Sequence, residues 1–429
     1  MIKIIQEKGE DFLADLARRK AEDLDRVTAE VSEIIRRVRK EGDRALVEFT
    51  RRFDKVSLAP ERFRVTDQEI DRAESSLDTG LKKALSSAYK RICDYHGRQL
   101  ANSWFTTGPD GEILGQRILP VESAAIYAPG GKAAYPSSVL MGAGAARTAG
   151  VKRLVLLSPP DPEGGINPAV LFAARTLGKV DEIYRLGGAH AIAAAAYGTE
   201  SLRPVDVIAG PGNIYVTAAK KLVYGTVNID MLAGPSEILV IADSSARPAW
   251  IAADLLSQAE HDERSACCLV TTSSDLAGRV QKELEAQLER LPKKEIAAQA
   301  IQNFGAILLA RDLDEAAFLA NLFAPEHLEL LVADPWSLLG RIQNAGAVFL
   351  GPYTPEAVGD YWAGPNHVLP TGGSAKNFSP LGVEVFLKRS SLISFNRPAF
   401  ERALKPVTLM ARAEGLEAHA RSMEIRKEK

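Results

Sequence analysis

The 429-residue chain has few cysteines and no excess of charge of either sign. Its three cysteines are Cys93, Cys267 and Cys268, an odd number that argues against a disulfide framework and indicates a reducing compartment. The formal net charge is -2, so no strong basic field is present to attract nucleic acid or an anionic membrane. We therefore expect a protein that binds neither.

Long apolar stretches are missing as well. The first residues, MIKIIQEKGEDF, have no uninterrupted apolar core of the kind a signal peptide needs, and no later segment offers about 18 consecutive apolar residues for a membrane span. Apolar residues make up 46% and charged residues 25% of the chain, which is typical of a soluble globular enzyme. We expect a cytoplasmic protein with two or three domains.

Glycine-rich turns are present, but no known nucleotide fingerprint is. Neither Gly142-Ala-Gly144 nor Gly210-Pro-Gly212 is followed by the third glycine of G-x-G-x-x-G, and there is no Walker sequence. Backbone N–H groups in such turns can face a phosphate, although glycine is also what a tight strand-to-helix turn needs. The three turns span residues 128–132, 186–190 and 209–215.

From about residue 121, apolar strands alternate with helices rich in alanine and glycine, which is typical of parallel sheets wound with helices. The alternation occurs in two sets, so we predict two similar α/β parts whose ligands lie beyond the carboxyl ends of the strands. The predicted strands are 124–127, 151–157, 182–186, 205–209 and 227–230, then 238–242, 266–271, 306–309, 328–332 and 347–350. Cys267 and Cys268 are predicted to be buried in one of these strands.

The two ends of the chain differ from this pattern. Residues 1–55 are predicted to be helical, and Thr66 to Glu69 form a capping box that opens a helix towards Tyr95. His96, near the end of that helix, is predicted to be a charge partner or a surface group. After residue 375 we predict a β pair, 383–387 with 391–395, followed by helices, in a tail too small for its own core.

Metal-binding residue types occur in the stretch Ser257 to Glu263, SQAEHDE. Gln258 and His261 are three residues apart at a predicted helix end and so project to one face. An amide oxygen and an imidazole nitrogen can bind a divalent metal, but zinc requires about four ligands. Other donors must come from elsewhere in the chain.

Two further segments carry reactive side chains. His327 follows Glu326 between a predicted helix and a predicted strand, a position suited to acid–base chemistry. Asp360 and His367 lie in a loop punctuated by glycine and proline. A lone histidine is more often a satisfied polar group than a ligand, so spacing alone leaves these assignments open.

Seven sequence blocks together resemble histidinol dehydrogenases, in the same order and over nearly the whole chain. The blocks are IYAPGGKAAYPSSVLM (126–141), AGPGNIYVTAAKK (209–221), DMLAGPSEILVIAD (230–243), SQAEHDE (257–263), APEHLEL (324–330), GDYWAGPNHVLPTGG (359–373) and GLEAH (415–419).

With the strand pattern, the resemblance implies two incomplete Rossmann-like parallel-sheet domains, an N-terminal helical segment and a small C-terminal tail domain exchanged in a dimer. The expected segments are 1–24 for the helical segment, 25–120 with 236–375 for the α/β domain that carries the metal, 121–235 for the NAD-binding domain and 376–429 for the dimerisation tail.

The resemblance also implies an activity. Such enzymes use zinc and two NAD+ to oxidise L-histidinol through L-histidinaldehyde to L-histidine, at the end of histidine biosynthesis. Matched by motif, the ligands of one zinc ion per subunit are Gln258, His261, Asp360 and His419. These four and His327 are also expected to contact the substrate.

The other roles follow from the same match. His327 would accept the hydroxyl proton and Glu326 would activate water, while Ser236, His367 and Glu414 would contact the substrate. In the expected homodimer, Glu414 and His419 of each tail would complete the site of the other subunit. The expected NAD contacts are Tyr127, Asn213 and His190, the last at a position where many members have glutamine.

Three other functions remain compatible with these residues. A paralogous dehydrogenase could oxidise another polyol, such as a sulfonated diol, at a similar metal site. A zinc hydrolase could use Glu326 and His327 to activate water. The third alternative is a metal-binding protein without activity. It is disfavoured, because such a protein would have no use for both of these acid–base groups.

Overall fold

The computed structural model describes residues 2–7, 9–130 and 134–427, and the side chains of all of these except 17–23. Part of the first glycine-rich turn, residues 131–133, lies outside the described residues. The strands are β1 (Lys3–Ile5), β2 (Trp104–Thr107), β3 (Ile113–Pro120), β4 (Ser123–Tyr127), β5 (Arg153–Ser158), β6 (Glu182–Arg185), β7 (Val207–Ala209), β8 (Asn228–Ile229), β9 (Glu237–Ala242), β10 (Ala266–Thr271), β11 (Ala306–Leu309), β12 (His327–Leu331), β13 (Ala347–Leu350) and β14 (Leu387–Ser394).

The α-helices are α1 (Gly9–Glu41), α2 (Asp43–Phe49), α3 (Asp67–Ser76), α4 (Thr79–Gly97), α5 (Pro136–Ala149), α6 (Pro168–Phe172), α7 (Gly188–Tyr197), α8 (Ile214–Val223), α9 (Pro248–Ala259), α10 (Ser274–Leu288), α11 (Lys294–Phe304), α12 (Leu313–Phe323), α13 (Pro335–Leu339), α14 (Glu356–Val358), α15 (Arg397–Ala413) and α16 (Glu417–Glu424). No helix in this described part of the chain combines the length and the apolar composition that a membrane crossing requires.

Two parallel sheets with the same winding dominate the structure. The five-stranded sheet has the order β6-β5-β4-β7-β8, and the six-stranded sheet has the order β1-β11-β10-β9-β12-β13. Numbered within each set, β4–β8 and β9–β13 both follow the order 3-2-1-4-5, which is the Rossmann order without its sixth strand. The predicted pair of incomplete Rossmann-like sheets is thus confirmed.

Strand β1 was not predicted, because residues 1–55 were all assigned to helices. It pairs in parallel with β11 at the edge of the six-stranded sheet, with Ile4 opposite Ile307. A three-residue strand carries too short an alternation to be recognised in a sequence. Tertiary pairing therefore decides its conformation.

The chain consists of two compact units. The first contains residues 1–99 and 121–386 and the second contains residues 100–120 and 387–429. Both parallel sheets belong to the first unit, so the predicted edges between the two α/β domains stay a prediction. In the second unit β2, β3 and β14 form an antiparallel sheet in the order β14-β3-β2. Helices α15 and α16 also belong to this unit.

The predicted β pair in the tail is wrong. Residues Val383–Phe386 form a 3-10 turn, and β14 is one continuous strand that pairs along its length with β3, from Leu387 opposite Pro120 to Ser394 opposite Ile113. The sequence pattern of β14 suits a strand, but its partner is about 270 residues away in the chain and could not be deduced from local turn signals.

Helix α1 packs on both parallel sheets of the first unit. Leu13 and Leu16 belong to the core on one face of the six-stranded sheet, whereas Val31 and Val38 belong to the core of the five-stranded sheet. All four side chains are buried, and burying one such side chain contributes about 1.5–3 kcal/mol. The helix therefore fixes the two sheets to one another.

The capping box is confirmed: the side chain of Thr66 accepts from the N–H of Glu69, and the Glu69 side chain accepts from the N–H of Thr66. The predicted long helix is divided at Leu77, where Asp78 caps a second helix, and Gly80 lies inside that helix.

The assignment of His96 to the surface is wrong. Its ring is fully buried and hydrogen-bonded to Gln99, at 2.7 Å.

Candidate active site

The cavity that contains most of the predicted reactive residues has a volume of about 390 Å³. It lies between the two parallel sheets of the first unit. The chain passes from β8 to β9 through a short turn, Ala233 to Ser236, and this turn forms part of the cavity wall. The predicted site residues in its lining are Asn213, Ser236, Gln258, His261, Glu326, His327, Asp360 and His367.

The predicted site residues lie at the carboxyl ends of the strands in only one of the two sheets. Asn213 follows the carboxyl end of β7, as predicted. Ser236 directly precedes β9, Glu326 directly precedes β12, and His327 is the first residue of β12. These three residues therefore lie at the amino ends of strands in the six-stranded sheet. The chain passes directly from β8 of the five-stranded sheet to β9 of the six-stranded sheet. This connection brings the carboxyl ends of the first sheet to the amino ends of the second.

His327 is oriented by the main chain of the neighbouring strand. Its Nδ1 atom lies 3.0 Å from the carbonyl oxygen of Glu237. A carbonyl only accepts, so Nδ1 must carry the proton and Nε2 is left with a lone pair. Among the described residues Nε2 has no hydrogen-bond partner, and burial lowers the pKa of His327 below its ordinary value. His327 is therefore a neutral imidazole with a free basic nitrogen.

Glu326 is held beside this imidazole. Its Oε2 atom accepts a hydrogen bond of 2.9 Å from the N–H of Glu237 and lies 3.7 Å from Nδ1 of His327. Burial raises the pKa of Glu326 well above its ordinary value, although the bond from Glu237 opposes that effect. A carboxyl group with a raised pKa is a stronger base once ionised.

Gln258 and His261 meet in the cavity although only the first is helical. Helix α9 ends at Ala259, and the N–H of His261 donates to the carbonyl of Gln258 over 3.2 Å. Gln258 is 1% exposed, yet neither atom of its side-chain amide has a hydrogen-bond partner in the described part of the chain. Since buried amides are normally paired, this one indicates a missing ligand.

Glu356 is the acidic residue that sequence reasoning missed. Its carboxylate, that of Asp360 and the imidazole of His327 offer ligand atoms within 4.8 Å of one another. Burial favours a raised pKa for Glu356, but the nearby His327 ring and hydrogen bonds from Asp360 and Ser257 lower it. Burial and the charge of Glu356 raise the pKa of Asp360. The two carboxyl groups are hydrogen-bonded to each other, and the four-residue spacing of Glu356 and Asp360 was the available signal.

His367 completes the inner wall of the cavity. Burial, and then the nearby His327, lower its pKa to about 4. Its Nε2 atom is buried without a hydrogen-bond partner in the residues the structure describes. This neutral ring can accept from or donate to a polar group of a bound molecule.

A second cavity, of about 700 Å³, lies at the carboxyl ends of the five-stranded sheet. Tyr127, at the end of β4, and Asn213 line it, and the Tyr127 hydroxyl accepts a 3.1 Å hydrogen bond from the N–H of Gly188. Burial raises the pKa of Tyr127 to about 12. Asn213 and Pro129 line both cavities, so one extended ligand can reach from the second cavity into the first.

Three predicted residues lie elsewhere. His190 is fully buried beside the second cavity, with Nε2 3.4 Å from the Thr50 hydroxyl and 3.8 Å from a carboxylate oxygen of Asp54. Burial lowers the pKa of His190 to about 3. Glu414 and His419 belong to the second unit, where both side chains are exposed.

The donor set of the first cavity suits a metal such as zinc. Gln258, His261 and Asp360 offer one amide oxygen, one imidazole nitrogen and one carboxylate, and these are accepted ligand types for that ion. The unpaired amide of Gln258 is the observation that carries this fit.

Comparison with known proteins identifies one family. The profile of the histidinol dehydrogenase family matches residues 17–427. A histidinol dehydrogenase of Moorella thermoacetica is 55% identical over 402 residues, which cover 94% of this chain and 95% of that protein. One of Carboxydothermus hydrogenoformans is 51% identical and covers 99% of both. The crystal structure of the Elizabethkingia anophelis histidinol dehydrogenase superposes with a TM-score of 0.88 at 38% identity, covering 93% of this chain and 92% of that one.

Proposed function

The chain belongs to the histidinol dehydrogenase family, and on this premise we propose that it oxidises L-histidinol through L-histidinaldehyde to L-histidine with two NAD+, as the last steps of histidine biosynthesis. The observation that carries the proposal is the first cavity, where a neutral His327 with a free Nε2 lies among Ser236, Gln258, His261, Glu326, Asp360 and His367.

In the first oxidation His327 acts as the base. Its Nε2 atom accepts the proton of the substrate hydroxyl as a hydride leaves the same carbon for NAD+, and the products are the aldehyde, NADH and imidazolium. The carbonyl of Glu237 keeps Nδ1 protonated throughout. General base catalysis of this kind contributes about 10²–10⁴-fold to a rate.

The second oxidation begins with hydration of the aldehyde. Glu326, in its ionised form, accepts a proton from water as the water oxygen bonds to the carbonyl carbon, and the imidazolium of His327 gives its proton to the carbonyl oxygen. His327, returned to its neutral form, then accepts a hydroxyl proton of the hydrate as hydride leaves for a second NAD+. The carboxylic acid that forms is L-histidine.

Gln258, His261 and Asp360 would hold the zinc ion, with His419 as the fourth ligand. The ion would orient the substrate as a template. Glu356, which is hydrogen-bonded to Asp360, would orient it as outer carboxylates orient ligands in other metal sites. Ser236, His367 and Glu414 would bind the polar groups of histidinol.

NAD+ would occupy the second cavity, with Tyr127 and Asn213 as contacts and the nicotinamide directed to the first cavity past Asn213 and Pro129. Because the ring of His190 is fully buried, it would support the wall of the cavity at Gly188 and Ala189.

The enzyme would be a homodimer in which the second unit of each chain supplies His419 and Glu414 to its partner. Large apolar side chains of the second unit are exposed, among them Phe105 and Ile393, each at 73%. Extensive apolar exposure marks an interaction surface. Sedimentation at micromolar protein should therefore give the mass of two chains.

The first experiment measures NADH release from purified enzyme with L-histidinol, before and after chelation and after zinc is added back. We expect about two NADH per histidinol, loss of activity on chelation and its recovery with zinc. If the zinc-loaded dimer produced no NADH from histidinol but did so from a sulfonated diol, the function would be that of a paralogous polyol dehydrogenase.

A further inference from the structure

A buried ion pair lies beneath the turn that carries Asn213. The Lys220 side chain is 2% exposed and that of Asp230 is 0% exposed, and the ammonium group of Lys220 donates directly to Oδ1 of Asp230. Lys220 belongs to α8 and Asp230 follows β8. Neither residue has a role in the reaction described above, although a buried ion pair is costly to desolvate.

Both groups of this pair also bind the main chain of one glycine. Lys220 Nζ donates to the carbonyl of Gly210 at 2.9 Å, and Asp230 Oδ2 accepts from the N–H of Gly210 at 2.7 Å. The other carboxylate oxygen accepts from the N–H of Met231, also at 2.7 Å. The pair thus satisfies the donor and the acceptor of the first glycine in the Gly210-Pro-Gly-Asn213 turn.

Gly210 can be held in this way only because it is glycine. Its φ is +120°, and a Cβ atom would lie 2.2 Å from the carbonyl oxygen of Tyr127. The turn therefore lies directly against the end of β4. Holding Gly210 in place also fixes the separation of Tyr127, at the end of β4, and Asn213, at the start of α8. Both residues line the second cavity.

Helix α8 holds a second turn from the same face. Thr217, three residues before Lys220, donates from its hydroxyl to the carbonyl of Ala233 at 2.8 Å, and the side chains of Thr217 and Lys220 are both buried. Ala233 begins the turn that leads to Ser236 in the first cavity. One face of α8 therefore positions one turn in each cavity. Thr217 binds the turn of the first cavity, and Lys220 binds the turn of the second cavity, where the cofactor is proposed to lie.

We propose that the Lys220–Asp230 ion pair positions the Gly210–Asn213 turn for binding of the dinucleotide. This inference rests on the proposed function, and it assigns positioning roles to two residues that line neither the first nor the second cavity. Loss of the pair leaves Gly210 without its two partners, so the contacts made by Asn213 and Tyr127 lose their fixed geometry. Misplacement by about 1 Å is enough to reduce activity by up to about 10²-fold.

The test compares Lys220→Met with Lys221→Met, since Lys221 is the exposed neighbour on the same helix. We expect Lys220→Met to raise the KM for NAD+ by about ten-fold or more while the KM for histidinol and the zinc content stay at the values of the control. A folded Lys220→Met protein with the NAD+ KM of Lys221→Met would overturn the proposal.

Lys220→Met leaves a buried carboxylate unpaired and can fail to fold for that reason alone. The double variant Lys220→Met/Asp230→Leu removes both charges and avoids this problem. We expect it to fold and melt closer to wild type, but to keep the raised KM for NAD+, because Gly210 then lacks both partners. Recovery of the wild-type NAD+ KM in the double variant would show that the pair has no positioning role.

Calorimetric titration with NAD+ alone separates this proposal from the proposed function. If the wild type released no NADH from histidinol but bound NAD+, the proposed reaction would fail while the comparison of NAD+ affinities in the variants still tested the ion pair. Weaker NAD+ binding by Lys220→Met than by Lys221→Met would support it. A wild type that neither reduced nor bound NAD+ would overturn both.

Discussion

The Nδ1 atom of His327 lies 3.0 Å from the carbonyl oxygen of Glu237, and this hydrogen bond determines which nitrogen of the imidazole can act as a base. The residue that provides the carbonyl is the first residue of β9, and its N–H binds Glu326. One peptide segment therefore orients both proposed acid–base groups.

The first prediction concerns this base. His327→Asn should lower kcat by about 10²–10⁴-fold, because no group remains to accept the hydroxyl proton at the position of Nε2. Zinc content, measured by atomic absorption, should stay near that of wild type, since His327 is not among the proposed zinc ligands. Loss of the metal together with activity would assign His327 to the metal instead.

Replacement of Glu356 should weaken metal binding without removing a ligand. In Glu356→Gln the carboxylate that is hydrogen-bonded to Asp360 is replaced by an uncharged amide, and loss of such an outer partner typically lowers metal affinity by about 10–100-fold. A competition titration against a chromogenic zinc chelator measures the effect. Glu285→Gln, at an exposed position of α10, is the control, and equal zinc affinity of the two variants would contradict the assigned role.

Mixing of inactive variants tests the shared site. Gln258→Ala and His419→Ala should each lose zinc and activity, because each removes one proposed ligand. If the second unit serves the partner, a mixed dimer contains one complete set of ligands, and activity should return after the two proteins are unfolded and refolded together. Verified heterodimers without activity would place both ligands in the same chain's site.

His190 should make the protein sensitive to acid. Burial lowers its folded pKa to about 3, whereas the unfolded value is about 6.5. Between these pH values the unfolded chain binds a proton that the folded chain does not, so stability falls as pH is lowered. The contribution reaches about 1.4 kcal/mol per pH unit. Nearby Asp54, whose burial raises its pKa to about 6, titrates in wild type and variant alike.

In His190→Gln, the free energy of unfolding should therefore decline less steeply between pH 6.5 and 4.5 than in wild type. Urea titrations at several pH values followed by circular dichroism give both slopes. Parallel curves for the two proteins would mean that His190 is protonated in the folded state as well.

Much of the fold could be predicted because the parallel strands are locally distinctive. Segments such as Ala266–Thr271 are apolar except for the final threonine, and Cys267 and Cys268 are buried in that strand as expected. Strands β1 and β14 were missed or misassigned because their partners are distant in the chain. His96 was misplaced because its burial depends on packing that no local pattern encodes.

The sequence by itself determined the family, the alternation that makes two parallel sheets and the motif residues that line the first cavity. The tertiary structure decided which ends of the strands meet there, which nitrogen of His327 is free and that Glu356 joins Asp360. It also revealed the ion pair under Gly210. These features depend on distances between segments far apart in the chain, whereas motifs and periodicity report only on neighbours along it.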